Sequence, residues 1–151
     1  EEQCFYAIRS IDGMVFRFFP PAGDKPARVE TVATVDLPDE KTSWRSCMFA
    51  IVGRTLWTTP YTGWGGEVRL VSCDLDSGEV KRYGPVVTED DRILNECHSI
   101  VAGDDGKLYL AAFVYSREDS ADPANPWGCR GGKPFHSRLV IIDPAKDLPA
   151  R

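Results

Sequence analysis

The chain repeats a short pattern of strands and turns along its length. Residues 4–18 (CFYAIRSIDGMVFRF) align without a gap with residues 69–83 (RLVSCDLDSGEVKRY), 65 positions later. Residues 138–143 (RLVIID) then repeat residues 69–74 (RLVSCD) at an offset of 69. Each copy has alternating apolar residues that lead into a short Asp, Ser or Gly turn. The first two copies continue into a second alternating run, which is the pattern of a β-hairpin. Because one hairpin cannot bury its own apolar face, we expect several of them to stack.

A second repeated element precedes the later hairpins. Residues 46–59 (SCMFAIVGRTLWTT) and 97–111 (CHSIVAGDDGKLYLA) each read as an apolar strand, a Gly turn and a strand that carries an aromatic residue. Joined to the hairpins, these elements predict antiparallel units of four strands, named A to D in chain order. Trp57 and Tyr109 hold equivalent strand-B positions, where we expect them to pack in the core or between units.

The strands divide into one complete unit and two partial ones. The complete unit is predicted at residues 46–87, with strands at 46–52, 55–60, 68–75 and 79–86. A partial unit at 97–143 supplies strands A, B and C at 99–103, 107–114 and 138–143. A partial unit at 1–35 supplies strands C and D at 4–10 and 14–19, with one more edge strand at 28–35.

Four-stranded antiparallel units repeated around an axis are the blades of a β-propeller, which usually has ~4–8 of them. Residues 98–110 (HSIVAGDDGKLYL) resemble the motif His-Gly-Ile-x-x-Gly-x-Asp-Gly-x-Leu-Tyr. That motif belongs to propellers of the streptogramin-lyase-like and gluconolactonase-like (NHL-type) superfamily. The resemblance covers strands A and B of one unit and implies an all-β fold, with residues 1–151 forming a single partial propeller. A β-sandwich built from the same strands is the alternative.

Fewer than three complete blades can be counted in the sequence. The pattern starts in the middle of one blade and stops before strand D of another, and an open arc of blades would expose apolar edges. We therefore expect copies of this chain or a second polypeptide to complete the ring. A chain that is one piece of a longer propeller is the third interpretation.

The composition and charge of the chain argue against some classes of binding partner. The formal net charge is −5 and basic residues are scattered singly, which argues against nucleic acid and anionic membranes as partners. No apolar run approaches the ~20 residues of a membrane-spanning helix. Eleven prolines and thirteen glycines interrupt the chain too often for long helices.

The five cysteines show no zinc or haem spacing. Cys73 lies in the middle of a predicted strand and is interpreted as a small buried hydrophobic residue. A disulfide from Cys97 or Cys47 to the loop residue Cys129 is a hypothesis. It would favour an extracellular or periplasmic location, because disulfides persist in oxidising compartments.

The connections separate into a short set and a long set. In a propeller blade the A–B and C–D turns lie on one side of the ring, and here both kinds are minimal. The B–C and D–A connections lie on the other side and are long, and long loops on a rigid scaffold commonly carry binding residues. The candidate ligand-binding residues on that side are Trp44, Arg45, Tyr61, Trp64, Trp127 and His136. For Trp64 and Trp127, pinning a long loop is the alternative role.

His98 is the strongest candidate for catalysis. It is predicted to open an innermost strand at the mouth of the central channel, and Glu96 lies two residues earlier on the same side of an extended chain. Arg130 is the third candidate catalytic residue. Glu96, His98 and His136 together could ligate a divalent metal such as Zn²⁺ or Mn²⁺, although no cofactor is required by the sequence. A structural histidine that satisfies a backbone carbonyl is the alternative for His98.

Two functions from different classes follow. The first is a ligand-binding or assembly subunit that contributes blades to a composite propeller and binds a small molecule or glycan on its loop-rich side. The second, implied by the resemblance, is a propeller-class lyase or hydrolase that acts on a carbohydrate or lactone-type substrate, with His98 as general base or metal ligand.

Overall fold

The computed structural model describes residues 3–35, 48–60, 68–116 and 136–148. In these ranges ten β-strands form three antiparallel sheets. The all-β fold expected from the sequence is therefore confirmed. None of the described residues form a helix long and apolar enough to cross a membrane.

Each sheet collects strands that follow one another in the chain. Sheet 1 has the order β1 (Phe5–Ile8), β2 (Met14–Phe19), β3 (Arg28–Thr34). Sheet 2 has the order β4 (Phe49–Val52), β5 (Thr55–Thr58), β6 (Arg69–Asp74), β7 (Val80–Pro85). Sheet 3 has the order β8 (Arg92–Ala102), β9 (Leu108–Ser116), β10 (His136–Ile142). The predicted four-stranded unit at 46–87 and the predicted edge strand at 28–35 are both present.

The hairpin turn between β6 and β7 shows why the sequence Asp-Leu-Asp-Ser-Gly (residues 74–78) folds as it does. One carboxylate oxygen of Asp74 accepts hydrogen bonds from the backbone N–H of Asp76 (3.0 Å) and of Ser77 (2.7 Å). It also accepts one from the Ser77 hydroxyl (2.9 Å). These bonds, first of all the one from the Ser77 backbone, hold the pKa of Asp74 below its ordinary value. Gly78 closes the turn at φ +75°, a conformation that glycine adopts without strain.

Sheet 2 lies in the middle of the stack and buries both of its faces. We call the face with Leu56, Val71 and Cys73 the back face of sheet 2; it packs against sheet 1. The face with Trp57 and Leu70 is the front face of sheet 2; it packs against sheet 3. The residues of sheet 3 in this second cluster include Leu94, Ile100, Leu108, Leu110, Val114 and Ile142. Burial of one such aliphatic side chain stabilises the fold by roughly 1.5–3 kcal/mol.

The two sequence repeats relate their sheets in different orientations. Ile142 of β10 and its counterpart Cys73 both face the preceding sheet, so the repeat at an offset of 69 relates sheet 3 to sheet 2 in the same orientation. In the repeat at an offset of 65, Ile8 and its counterpart Cys73 face each other across one cluster. A strand pattern of period two specifies which side of a strand is apolar, but it does not specify which sheet that side will meet.

Trp57 and Tyr109, equivalent in sequence, differ in burial. Trp57 is only 7% exposed and stacks on Tyr83, with ring centroids 5.7 Å apart. Tyr109 is half-buried and its hydroxyl donates to Asp105 Oδ2 at 2.9 Å. The expectation that both pack in a core is thus met by Trp57, whereas Tyr109 lies on a face that no described residue covers fully.

Because Trp57 is more buried than Tyr109, substitution of the two residues by Ala should lower the free energy of unfolding by different amounts. Trp57→Ala should lower the free energy of unfolding by about 3–5 kcal/mol, because removal of a large buried aromatic leaves a cavity. Tyr109→Ala should cost less than half of that in the isolated chain. Urea denaturation of the two variants measures both values. Equal costs would show that Tyr109 is covered in solution.

The backbones of sheets 1 and 2 approach closely at Gly78, which predicts that substitutions at Gly78 and Gly53 differ in their cost to stability. A Cβ added to Gly78 would lie 2.8 Å from the carbonyl oxygen of Val32, whereas one added to Gly53, also at positive φ (+60°), would meet no atom within 4 Å. Both Ala substitutions carry a backbone cost of roughly 1–2 kcal/mol. Gly78→Ala should therefore be the more destabilising in thermal unfolding, and a Gly53→Ala variant of equal or lower stability would contradict this packing.

Candidate functional site

The most distinctive surface is one face of sheet 3. Val101 and Ile141 both lie opposite Tyr109, on β8 and β10 respectively, and Leu139 lies opposite Ala111 on the same side. We call this surface, formed by Val101, Tyr109, Ala111, Leu139 and Ile141, the front face of sheet 3. Its three large aliphatic side chains are exposed, Leu139 by 66%.

The same positions are buried in sheet 2. Leu70, the sequence counterpart of Leu139, is 2% exposed. Ala50 lies opposite Trp57 as Val101 lies opposite Tyr109, and it is 7% exposed where Val101 is 57% exposed. Sheet 3 covers the front face of sheet 2. No described residue covers the front face of sheet 3 in the same way.

Glu96 and His98 lie toward one end of this face. Glu96 is opposite Phe113, which alternates along β9 with Ala111 and Tyr109 and so shares their side. The His98 ring meets Phe113 edge to face, with centroids 5.0 Å apart. His98 Nε2 lies 3.8 Å from Glu96 Oε2. The expectation that these two side chains share one side of the chain is met.

The position of His98 along its strand differs from the prediction. β8 begins at Arg92, so His98 lies within a strand instead of opening one. Register shifts between Leu94 and Glu96 and between Cys97 and Ser99 break the alternation of buried and exposed residues. Leu94 and the adjacent Asn95 are both buried, so the first half of β8 lacks the alternation of apolar and polar residues by which a strand is recognised in a sequence. The second bulge places the imidazole beside Phe113.

This pair offers limited chemistry by itself. The His98 imidazole is more than half exposed, and it lies next to the less exposed Glu96 carboxylate. At 3.8 Å the two groups attract each other when the imidazole is charged, but the separation is longer than a hydrogen bond. The arrangement suits proton transfer to a bound molecule only if a further group orients that molecule.

His136 does not join this pair. It lies opposite Val114, whose side chain is buried toward sheet 2, and so it is on the other side of sheet 3 from Glu96 and Phe113. Across the described ranges, no group of three His, Cys, Asp or Glu side chains is close enough to hold a metal ion. The predicted metal site of Glu96, His98 and His136 is therefore not formed, because the sheet separates the two histidines.

Six other candidates cannot be placed on this surface. Trp44, Arg45, Tyr61, Trp64, Trp127 and Arg130 lie outside the described residues. Their roles in ligand binding, and in catalysis for Arg130, stay predictions from the sequence.

The cysteines of the described ranges are free thiols. Cys97 is buried between sheets 2 and 3, and its thiol donates to the backbone carbonyl of Ser99 at 3.2 Å. The hypothesis of a disulfide from Cys97 is wrong, because the side chain points into the core. Burial raises the pKa of Cys97, and also that of Cys73, so both thiols stay protonated and unreactive near neutral pH. Cys47 and Cys129 lie outside the described residues.

A groove of about 600 Å³ runs along the outer edge of β10. One wall is formed by Tyr83, Gly84 and the segment that follows β7, and the other by β10 itself. Arg138 of β10 lies 3.6 Å from Asp90 of the opposite wall. The Thr88 hydroxyl donates to Asp90 and, ahead of the other contacts, lowers the pKa of that carboxyl. Sequence analysis did not identify this groove, although it lies where a strand D of the third unit would be expected.

Comparison of the chain with protein-family models, with curated proteins and with solved structures found no match. The function is therefore inferred from the surfaces just described.

The exposure of His98 predicts how the protein tolerates its loss. His98→Ala removes one edge contact with Phe113 and a long ion pair, so it should change the free energy of unfolding by less than about 1 kcal/mol. Thermal unfolding at pH 7 measures this, with His136→Ala as the matched control. A large loss of stability in His98→Ala alone would identify a structural histidine.

Proposed function

We propose that this chain is an assembly subunit that contributes its sheets to a composite β-propeller and binds a small molecule or glycan on the loop-rich side. The observation that carries the proposal is the front face of sheet 3. Its positions are exposed where the matching positions of sheet 2 are buried under a neighbouring sheet. A further sheet, from a copy of this chain or from a second polypeptide, is the occupant that the repeat favours.

The other end of the stack supports the same interpretation. Phe5, Phe18 and Val29 lie in one row across sheet 1, on the side that faces away from sheet 2, and all three are exposed. Each end of the stack thus carries an apolar row, and contiguous exposed apolar patches mark sites of interaction with other proteins. Covering both rows would extend the stack in both directions.

The relation between sheets 2 and 3 favours a ring over a flat sandwich. The front face of sheet 2 meets the opposite face of sheet 3, so the two sheets are stacked in the same orientation. Their first strands, β4 and β8, lie in contact. Neighbouring blades of a propeller have this arrangement, because they repeat in one orientation and their first strands surround the axis. The argument applies to sheets 2 and 3 alone, since sheet 1 meets sheet 2 with its equivalent face.

The ligand class rests on the sequence. Aromatic and Arg residues are concentrated in the long connections that enter and leave the sheets on one side, and such residues commonly bind sugars and small molecules by stacking. Of the candidate ligand-binding residues His136 is described, at the start of β10; of the candidate catalytic residues Glu96 and His98 are described, within β8.

A lyase or hydrolase of the propeller class is the second candidate, favoured by the approach of His98 to Glu96. In that function His98 would act as general base and Glu96 would orient it. Turnover on a panel of oligouronides and lactones that is lost in His98→Ala and kept in His136→Ala would support it. Turnover that survives in both variants would remove His98 as the base.

The assembly proposal is tested by a charge placed on the front face of sheet 3. We expect wild-type protein to self-associate at micromolar concentration in sedimentation velocity, and Ile141→Lys to weaken association at least about tenfold, because a buried unpaired charge is costly. Ile11→Lys is the control and should change nothing, because Ile11 is also an exposed isoleucine (69%, against 51% for Ile141) but lies in the β1–β2 turn.

Two results would oppose the proposal. One is a wild-type monomer that unfolds cooperatively and stays monomeric at high concentration. The other is equal loss of association in Ile11→Lys and Ile141→Lys, which would mean that association is not specific to the front face of sheet 3.

A further inference from the structure

We infer that the groove beside β10 is a strand-acceptor site. It takes a β-strand from a second polypeptide, added antiparallel to β10, with apolar residues at alternate positions and one or two Lys or Arg side chains. This partner binds by backbone hydrogen bonds along the edge and by side chains that enter the groove, which is a known mode of peptide recognition.

The edge of β10 provides the first argument. β6, its counterpart in the sequence repeat, pairs with β5 on one side and with β7 on the other. β10 pairs with β9, and the described part of the chain contains no strand on its other edge. The outward-pointing N–H and C=O groups of such an edge are a template for another strand.

The shape of the groove provides the second argument. Tyr83 and Gly84 on one wall belong to β7, and Val140 and Ile142 on the other belong to β10, so the groove opens between sheets 2 and 3 beside the free edge. Gly84 has open space above it, since no atom lies within 4 Å of a Cβ placed there. A strand as long as the six-residue β7 would span about 20 Å, which is close to the length of β10 itself.

The charge of the groove selects the partner. Among its described lining residues are three carboxylates, Glu89, Asp90 and Asp147, and one cation, Arg138. Asp90 is paired with Arg138 at 3.6 Å and with the neighbouring Arg92 at 3.0 Å, which leaves Glu89 and Asp147 as the carboxylates without a described cation beside them. An excess of carboxylates at the rim favours a cationic strand and accelerates its association. β7 carries Lys81 and Arg82 between Val80 and Tyr83, so it provides the cationic side chains that the charge of the groove favours.

The groove shares Leu139 and Ile141 with the front face of sheet 3. Its other lining residues lie along the outer edge of β10 and on the side that faces sheet 2, whereas the proposed assembly covers the opposite side. The variants used to test strand binding lie outside the shared pair, so strand binding can succeed or fail independently of the assembly experiment.

A synthetic peptide with the sequence of residues 79–86 (EVKRYGPV) is the probe. We expect saturable binding in the micromolar to low millimolar range, with NMR shift changes at the amides of β10 and of residues 83–87. Two further peptides test the edge, one N-methylated at the even backbone positions and the other at the odd positions except Pro85, which has no N–H. Only one of the two sets should abolish binding, because alternate N–H groups of an added strand face its neighbour. Equal binding by both methylated peptides, or no binding by the parent peptide, would overturn the inference.

Variants of the protein test the charge argument. Glu89→Gln should weaken binding of the parent peptide about two- to fivefold at low salt, and less at high salt, since a rim charge acts mainly through screened attraction. Asp104→Asn, in the exposed β8–β9 turn, is the control and should leave the affinity unchanged. Shift changes confined to sheet 1, or to β6 by displacement of β7, would place the peptide elsewhere and contradict the site.

Discussion

The rest of the structure depends on the contact between sheets 2 and 3. Trp57 lies at its centre, stacked on Tyr83 and covered by the aliphatic side chains of sheet 3. This contact orients sheet 3 in the same sense as sheet 2, and that orientation fixes which face of sheet 3 is left open. If the two sheets had met with their equivalent faces, as sheets 1 and 2 do, the residues around Leu139 would have been buried. The open face is thus a consequence of how one interface is built.

Local sequence patterns predict the strands better than they predict which faces of the sheets pack together. The strands of the 46–87 unit and the edge strand near residue 30 follow from alternation and turn residues, which are local signals. β8 was found only in its second half, because two bulges and the adjacent buried Leu94 and Asn95 suppress the period-two pattern. The repeat does not predict which face of sheet 1 packs against sheet 2. Alternation shows which side of a strand is apolar, but not which sheet that side will contact.

The candidate site was predictable only where its residues are close in sequence. Glu96 and His98 come together because they are two positions apart on one strand. The loop-rich side of the predicted fold places His136 near them. That prediction does not take into account that two residues at the same end of a sheet can lie on opposite faces of it. Opposite Val114, His136 shares the side that faces sheet 2. The register of β10 against β9 separates the two histidines, because Val114 and the adjacent Phe113 point to opposite sides of the sheet.

Sheet 3 leaves open both a face and an edge, and one cause accounts for both. Each strand of a repeated stack is satisfied by two kinds of neighbour, one through side chains and one through the backbone. β6 has both, with sheet 3 over Leu70 and Ser72 and β7 along its edge. β10 has the same sequence pattern and the same register to its preceding strand, but the described chain provides neither neighbour. β10 therefore has the sequence pattern of an interior strand, and the two proposals each supply one of the neighbours that the described chain leaves out.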